Sequence, residues 1–132
     1  MTEQEIVKYS NRAAIKNATI SGTMLGVEDH GILTAFVYLD FGGSGQGFGG
    51  YSLDDPLPRE PGESFRRVGT VFGMEFIRQV LQVLGVEKWE ALPGTSCRVV
   101  HDHGCVYAIG HYLKDEWFDP KKLAKEMKKH NG

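Results

Sequence analysis

The segment ILTAFVYLDF, residues 32–41, is apolar almost throughout and contains the β-branched and aromatic residues that favour strands. It is therefore predicted to be a central strand of a sheet. The preceding EDHG, residues 28–31, has the composition of a tight turn, because Asp and His bond to nearby backbone and Gly31 accepts positive φ. Residues 15–27 also favour β structure, so residues 15–41 are predicted to form a β-hairpin.

The stretch that follows, DFGGSGQGFGGYSLDD at residues 40–55, is rich in glycine. Because glycine weakens strands, this high glycine content calls for a structural or functional explanation. It does not match a known phosphate-binding loop, because no helix follows it and it lacks the Walker lysine. We expect a strand end, a bulged turn and a return strand over residues 49–53. Gln46, Phe48 and Tyr51 are the side chains available for recognition, and the glycines bring backbone close to a nucleotide or to a second subunit.

Two helices are predicted further along the chain. Apolar residues recur at helical spacing from Phe72 to Leu84, after a favourable N-cap at Thr70 and before a helix-ending Gly85. The last segment begins with Asp119 as a cap and Pro120 at the first helical position. Its lysines are expected on a solvated helix face; they are Lys121, Lys122, Lys125, Lys128 and Lys129.

The remaining segments complete an α+β pattern. TSCRVV (95–100) and CVYAIGHY (105–112) flank a second turn, HDHG, and so predict a second hairpin. The charged residues 54–67 contain three prolines and are expected to be a surface loop, and residues 1–12 are expected to be flexible or a short helix. The order β-β-β-α-β-β-α predicts one α+β domain over residues 1–132, with an antiparallel sheet core, a central amphipathic helix and a C-terminal helix packed against it.

Composition restricts the classes of function. The formal net charge of −2 gives no basic surface of the kind that long nucleic acids require. No apolar run approaches a membrane span, and no signal peptide is evident, so a cytosolic protein with reduced thiols is expected. Cys97 and Cys105 would lie across the second hairpin, where a disulfide is conceivable but disfavoured in that compartment.

Motifs for catalysis are weak. His101, His103 and Cys105 alternate along a hairpin, but a zinc site needs three or four ligands and no further ligand motif is present. We expect no metal, no cofactor and no catalytic residue. Two alternatives stay open: an inhibitor that binds a host protein through its 54–67 loop, and a small metal-dependent nuclease or phosphodiesterase that uses His101, His103 and Asp102.

An anion site is the better prediction. Arg66 and Arg67 precede the helix opening GTVFGMEF, where unpaired backbone N–H groups favour a phosphate. Gly69 and Gly73 would let a ligand approach that backbone closely. Phe72, one turn into the helix, belongs either to the core or to a stacking lid.

Several segments together resemble a family of phage proteins. They are VEDHGILTAFVYLDFGGSGQGFGGYSLD (27–54), GTVFGMEFIRQVLQVLGVEKWEALPG (69–94), RVV (98–100) and IGHYLKDEWFDP (109–120). Over about residues 15–120 the chain is similar to the first Thoeris anti-defence family, which acts as sponges for an immune signal.

This resemblance implies a specific function. The sponges bind a cyclic ADP-ribose isomer, made from NAD by a TIR-domain enzyme, and release it intact. The resemblance also implies an antiparallel β core, a homodimer or hexamer, a ligand at a subunit interface, cyclic trinucleotides at separate sites in some members, and action in the cytoplasm of the infected bacterium.

The ligand contacts expected on this basis combine aromatic rings for the base, arginines for the diphosphate, and small polar or backbone groups. Arg98 is included because it lies on the strand face opposite Cys97 and Val99. The full set is Gln46, Phe48, Tyr51, Arg66, Arg67, Thr70, Phe72, Gly73, Arg78, Arg98 and His101.

Overall fold

The computed structural model describes the backbone of residues 1–131 and the side chains of residues 1–128, so Gly132 and the side chain of Lys129 lie outside it. The α+β class is confirmed. The elements, in chain order, are α1 (Glu3–Val7), β1 (Ala14–Asp29), β2 (Ile32–Asp40), β3 (Gly45–Gly49), β4 (Asp54–Pro56), β5 (Arg67–Gly69), α2 (Val71–Leu84), β6 (Ser96–His101), β7 (Val106–His111), β8 (Trp117–Phe118) and α3 (Pro120–Asn131), with a 3-10 turn at Trp89–Ala91.

A six-stranded antiparallel sheet in the order β3-β2-β1-β6-β7-β8 forms the body of the fold, and β4 pairs with β5 beside it. Both predicted hairpins are confirmed as β1–β2 and β6–β7. In the first, His30 and Gly31 have φ values of 53° and 80°. Two consecutive positive φ values are those of the type I′ turn, whose twist matches that of the flanking strands.

The predicted position of the third strand is wrong. The strand covers Gly45–Gly49 and not residues 49–53, because Gly49 and Gly50 have φ values of 119° and 82° that end the extended backbone. The predicted 54–67 loop also begins and ends in strand, since Asp54 pairs with Gly69 and Pro56 with Arg67. Residues 57–66 connect these two short strands.

The glycine content of β3 is explained by its neighbour β2. The Phe36 and Tyr38 rings stack with centroids 5.8 Å apart, on the face of the sheet where β3 has glycines. A Cβ atom at Gly47 would lie 3.3 Å from Phe36 Cδ1, and one at Gly50 would lie 2.7 Å from Phe36 Cζ. The rings of β2 therefore occupy the space that side chains of β3 would need.

The core lies between the other face of the sheet and α2. Phe48 of β3 stacks on Phe76 of α2 with ring centroids 5.8 Å apart, and Phe118 of β8 meets both rings edge-on. All three side chains are buried. Helix α2 begins at Thr70, whose Oγ1 accepts a hydrogen bond from Gly73 N at 2.9 Å, and ends at Gly85, with φ of 72°. Both predicted helix ends are confirmed.

The sheet curls so that β3 and β7 approach each other, although three strands separate them in the sheet order. The Gln46 Nε2 of β3 donates to the carbonyl oxygens of Asp102 at 3.2 Å and His103 at 3.4 Å, in the β6–β7 turn. The free edges of β3 and of the first half of β7 thus face each other. A cleft opens between them, and this cleft holds the candidate site.

Candidate functional site

The cleft contains a cavity of about 630 Å³, bounded by α1, β3, β7 and the first turn of α3. This volume lies within the range of about 300–1,000 Å³ that small-molecule sites usually have. The cavity wall combines three kinds of chemical group: lysine side chains, tyrosine rings and glycine backbone.

Four lysines give the cavity its charge: Lys8 next to α1, and Lys121, Lys122 and Lys125 on α3. None of them takes part in an ion pair among the residues that the structure describes. Glu5 and Asp119 are the acidic groups of the wall. The cavity therefore carries a surplus of positive charge, which favours an anionic ligand.

The Asp119 carboxylate is engaged in holding the local structure. Its Oδ1 accepts hydrogen bonds from the backbone N–H groups of Lys121 at 3.0 Å and Lys122 at 3.2 Å, which caps α3 as predicted. Its Oδ2 accepts a hydrogen bond from the Tyr9 hydroxyl at 2.8 Å. These bonds fix the first turn of α3, and with it the backbone that carries Lys121 and Lys122, against the cavity.

Three tyrosines, Tyr9, Tyr51 and Tyr107, supply aromatic surface. The Tyr9 and Tyr107 rings lie 5.4 Å apart between centroids, and the Tyr107 hydroxyl donates to Asp102 Oδ2 at 2.5 Å. Burial raises the pKa of Tyr9 above its usual value, and the hydrogen bond to Asp102 does the same for Tyr107. The same hydrogen bond is the main cause that lowers the pKa of Asp102 to about 2. Both phenols therefore stay protonated near neutral pH and act as donors.

Glycine backbone forms the wall that β3 contributes. Gly50 N donates to Ala35 O at 2.9 Å, and Phe41 N donates to Ser44 O at 2.8 Å. In an antiparallel pair only every second residue bonds to the partner strand, so these two bonds identify which residues of β3 bond to β2. By that alternation the N–H and C=O groups of Gly47 and Gly49 point away from β2, toward the free edge. Both residues line the cavity. The strand thus offers unpaired backbone donors and acceptors to a ligand.

Cys105 places an exposed thiol on the cavity wall. Cys97, across the same hairpin, is buried, and burial raises its pKa to about 12. The two cysteines are both free thiols in the structure. Because only one of them is accessible, Cys105 is a specific chemical reporter for the cavity.

Of the eleven residues predicted to contact the ligand, Tyr51 lines this cavity. Phe48 lies in the core, and Phe72 is partly buried against Tyr51, with ring centroids 6.1 Å apart. Gln46 is held by the β6–β7 turn. The His101 ring stacks on Phe41 at 5.1 Å.

Thr70 and Gly73, at the start of α2, have structural roles: Thr70 caps the helix, and Gly73 packs against the chain at residue 53. The Thr70 hydroxyl donates to Leu53 O at 3.0 Å, in addition to accepting from Gly73 N. A Cβ atom at Gly73 would lie only 2.1 Å from Leu53 O, so this glycine allows α2 to pack directly against the chain at residue 53.

The predicted arginines do not converge on one place. Arg67 is bound to Asp54, with Nη2 2.9 Å from Oδ1, and both side chains are largely buried. Arg98 donates to the carbonyl oxygens of His111 at 2.9 Å and Lys114 at 2.7 Å and lies over the Trp117 ring. Arg66 and Arg78 are exposed.

The Asp54–Arg67 pair gives the protein a measurable pH dependence. The hydrogen bond from Arg67 lowers the pKa of Asp54, and the N–H of Leu33 supports the same shift. Because the pKa of Asp54 is lower in the folded than in the unfolded protein, its ionised form stabilises the fold. This stabilisation is fully present above the unfolded-state pKa of about 3.9 and is lost as the pH falls through the folded-state pKa. The free energy of unfolding of Asp54→Asn should therefore fall less between pH 6 and pH 2.5 than that of the wild type. Urea unfolding at both pH values checks this, and equal losses would contradict it.

The residues that the sequence did not single out are Tyr9, Tyr107 and the lysines of the α3 first turn. For the lysines, the sequence feature that indicates a shared location is the segment DPKKLAK at 119–125, where a capped helix begins with lysines at positions 121, 122 and 125. The predicted solvated face is confirmed for the described lysines, since Lys121, Lys122, Lys125 and Lys128 are exposed, and three of them also border the cavity.

The residues considered for a metal site have other contacts. Asp102 accepts hydrogen bonds from Tyr107 and from Gly104 N at 2.8 Å, and His101 packs on Phe41. In the described part of the chain there is no group of three or more His, Cys, Asp or Glu side chains arranged to hold a metal ion. Nor does that part contain a helix of the length and apolarity that crossing a membrane requires. No protein-family model, no curated protein and no solved structure matches this chain.

Proposed function

We propose that this protein binds and sequesters a small phosphorylated nucleotide, of the cyclic ADP-ribose class, in the cleft between β3 and β7. The single observation that carries the proposal is the cavity itself. It brings together tyrosine rings, the free backbone of β3 and four lysines that form no ion pair within the described part of the chain. Phosphates, an aromatic base and ribose hydroxyls are the ligand groups that these three kinds of wall can meet.

Each part of the wall has a role in this proposal. The lysines bind the two phosphates as point charges, in place of the arginines expected from the resemblance. The tyrosines give ring faces for the base, and the N–H and C=O groups of Gly47 and Gly49 hydrogen-bond to the base or ribose edges. The cavity is lined by residues of one chain, and each subunit of the homodimer or hexamer that the resemblance implies would carry a copy of it.

Sequestration without turnover fits the state of the groups in the wall. Asp119 is bonded to Tyr9 and to two backbone amides, and the raised pKa of Tyr9 and Tyr107 keeps both phenols protonated near neutral pH, where they donate hydrogen bonds. A protein of this kind would bind the signal in the cytoplasm of an infected bacterium, as the resemblance to phage anti-defence proteins implies.

A trapping experiment tests the proposal. The protein is incubated with cyclic ADP-ribose, or with the products that a TIR enzyme makes from NAD, then filtered and heat-denatured, and each filtrate is analysed. We expect signal to be missing from the first filtrate and to appear intact after heating. Free signal in the first filtrate contradicts binding, and a degraded product shows an enzyme.

Alkylation of Cys105 locates the binding. Because Cys105 lines the cavity and Cys97 is buried, a thiol reagent should label one site per chain. Bound ligand should slow this labelling at least about 10-fold, as measured by mass spectrometry. Tight binding with unchanged labelling would move the site away from the cleft.

A further inference from the structure

The N-terminal residues form part of the cavity wall. Met1, Glu5, Lys8 and Tyr9 line it together with Asp119 and the lysines of α3. A ligand that fills the cavity would therefore contact both the body of the protein and this segment.

This segment contacts the body mainly at its two ends, where the Met1 side chain is only 7% exposed and Tyr9 is partly buried. Helix α1 has five residues and none of them is buried, and Val7 is 54% exposed. A helix this short is not stable without support from the rest of the fold. The Tyr9 hydroxyl bond to Asp119, the packing of Tyr9 on Tyr107 and the contact of the Met1 amino group with the Asp115 carboxylate provide that support.

The charges across the cavity add a second feature. Lys8 belongs to the N-terminal segment, and Lys121, Lys122 and Lys125 belong to the body. Glu5 and Asp119 line the same cavity, so the segment and α3 each carry charges of both signs there. A bound diphosphate would contact Lys8 and the α3 lysines together and so draw the segment toward α3.

From these observations we infer that residues 1–9 are a lid whose closure controls ligand release, and that Tyr9 is the positioning residue that latches it to Asp119. The inference rests on the proposed function, since it assigns regulation to the same cavity. An anionic ligand closes the lid by bridging Lys8 and the α3 lysines. The latch then slows dissociation, which is the rate that a sequestering protein must minimise.

The test is Tyr9→Phe, which keeps the ring and removes the hydroxyl. With cyclic ADP-ribose as the probe, we expect the dissociation rate constant to rise about 10-fold and the association rate constant to change less than about twofold, in stopped-flow measurements. The thermal unfolding midpoint should stay within about 2 °C of the wild type, because α1, which this bond helps to hold, contributes no buried residue to the core. Tyr112→Phe, at an exposed tyrosine outside the cavity, is the matched control and should change neither rate.

Hydrogen exchange tests the lid without any ligand. In the free protein, amides of residues 2–9 should exchange faster in Tyr9→Phe than in the wild type, by at least about fivefold, and equally in Tyr112→Phe and the wild type. Equal exchange in Tyr9→Phe and the wild type overturns the lid whether or not the protein binds the probe. Failure of the wild type to bind any cyclic ADP-ribose isomer overturns the proposed function, and faster exchange in Tyr9→Phe would still support the latch.

Discussion

Replacing Lys121 and Lys122 together by alanine is expected to weaken binding of a cyclic ADP-ribose isomer by about 100-fold or more. Each lysine that bonds to a phosphate contributes about 1.5–3 kcal/mol, and the two side chains line the same cavity. The helix should persist, because its cap uses the backbone N–H groups of these residues and alanine favours helix. Isothermal titration calorimetry at two salt concentrations measures the effect.

Lys88→Ala is the matched control for this double variant. Lys88 is exposed and lies outside the cavity, so its loss removes one positive charge, half of the charge removed by the double variant, without removing a group of the cavity wall. Its affinity should remain within about twofold of the wild type. If Lys88→Ala weakened binding as much as the double variant, the effect would come from overall charge and the assignment of the phosphates to α3 would be wrong.

Gly73→Ala is expected to lower the free energy of unfolding by about 3 kcal/mol, because overpacking a buried site commonly costs this much. Inside a helix the same change would usually add about 1 kcal/mol of stability. Here the new Cβ atom would lie 2.1 Å from Leu53 O and 2.8 Å from Leu53 Cβ, so α2 must move away from the chain that it packs against. Urea unfolding followed by tryptophan fluorescence measures the loss.

Gly69→Ala provides the comparison. A Cβ atom at Gly69 meets nothing within 4 Å, and its φ is not positive. We expect a change within about 0.5 kcal/mol, as for most exposed positions. A similar small change at Gly73 would show that the α2 packing is looser than the structure indicates. It would then leave the predicted ligand role of Gly73 as the reason for a glycine there.

Local signals were sufficient for much of the fold. The two His-Gly turns marked both hairpins by different local means. In the first, His30 and Gly31 both have positive φ, and in the second the Asp102 carboxylate accepts hydrogen bonds from Gly104 N and Cys105 N. Helix α2 followed from apolar spacing, with Thr70 and Gly85 at its ends. These features depend on residues close together in the chain, which is why the sequence could reveal them.

The position of β3 could not be predicted from its own sequence, because it is determined by residues of the neighbouring strand β2. A glycine strand has no side-chain pattern of its own, and the Phe36 and Tyr38 rings that cover it belong to β2. For the same reason Phe48 could not be distinguished as core from sequence, because its partners Phe76 and Phe118 lie 28 and 70 residues away.

The candidate site was the least predictable part. The sequence does not show whether an arginine is free to bind a ligand or already bonded within the protein. Arg67 binds the Asp54 carboxylate and Arg98 the His111 carbonyl, and neither partner is adjacent in the sequence. The lysines of α3 are exposed, as the sequence predicted, but they border a cavity only because the sheet curls and brings β3 toward β7. Curling is a property of the whole sheet, and no single segment encodes it.

The free edge of β3 has a consequence for the behaviour of the protein in concentrated solution. An unpaired strand edge is a template for pairing with the edge of another molecule, and proteins usually protect such edges by covering them. Here α1 and the start of α3 cover the edge, across the cavity that Gly47 and Gly49 line. Displacement of residues 1–9 would therefore open a binding cavity and expose an aggregation-competent strand at the same time. The segment that we propose to retain a ligand would therefore also limit association of the chain through this strand edge.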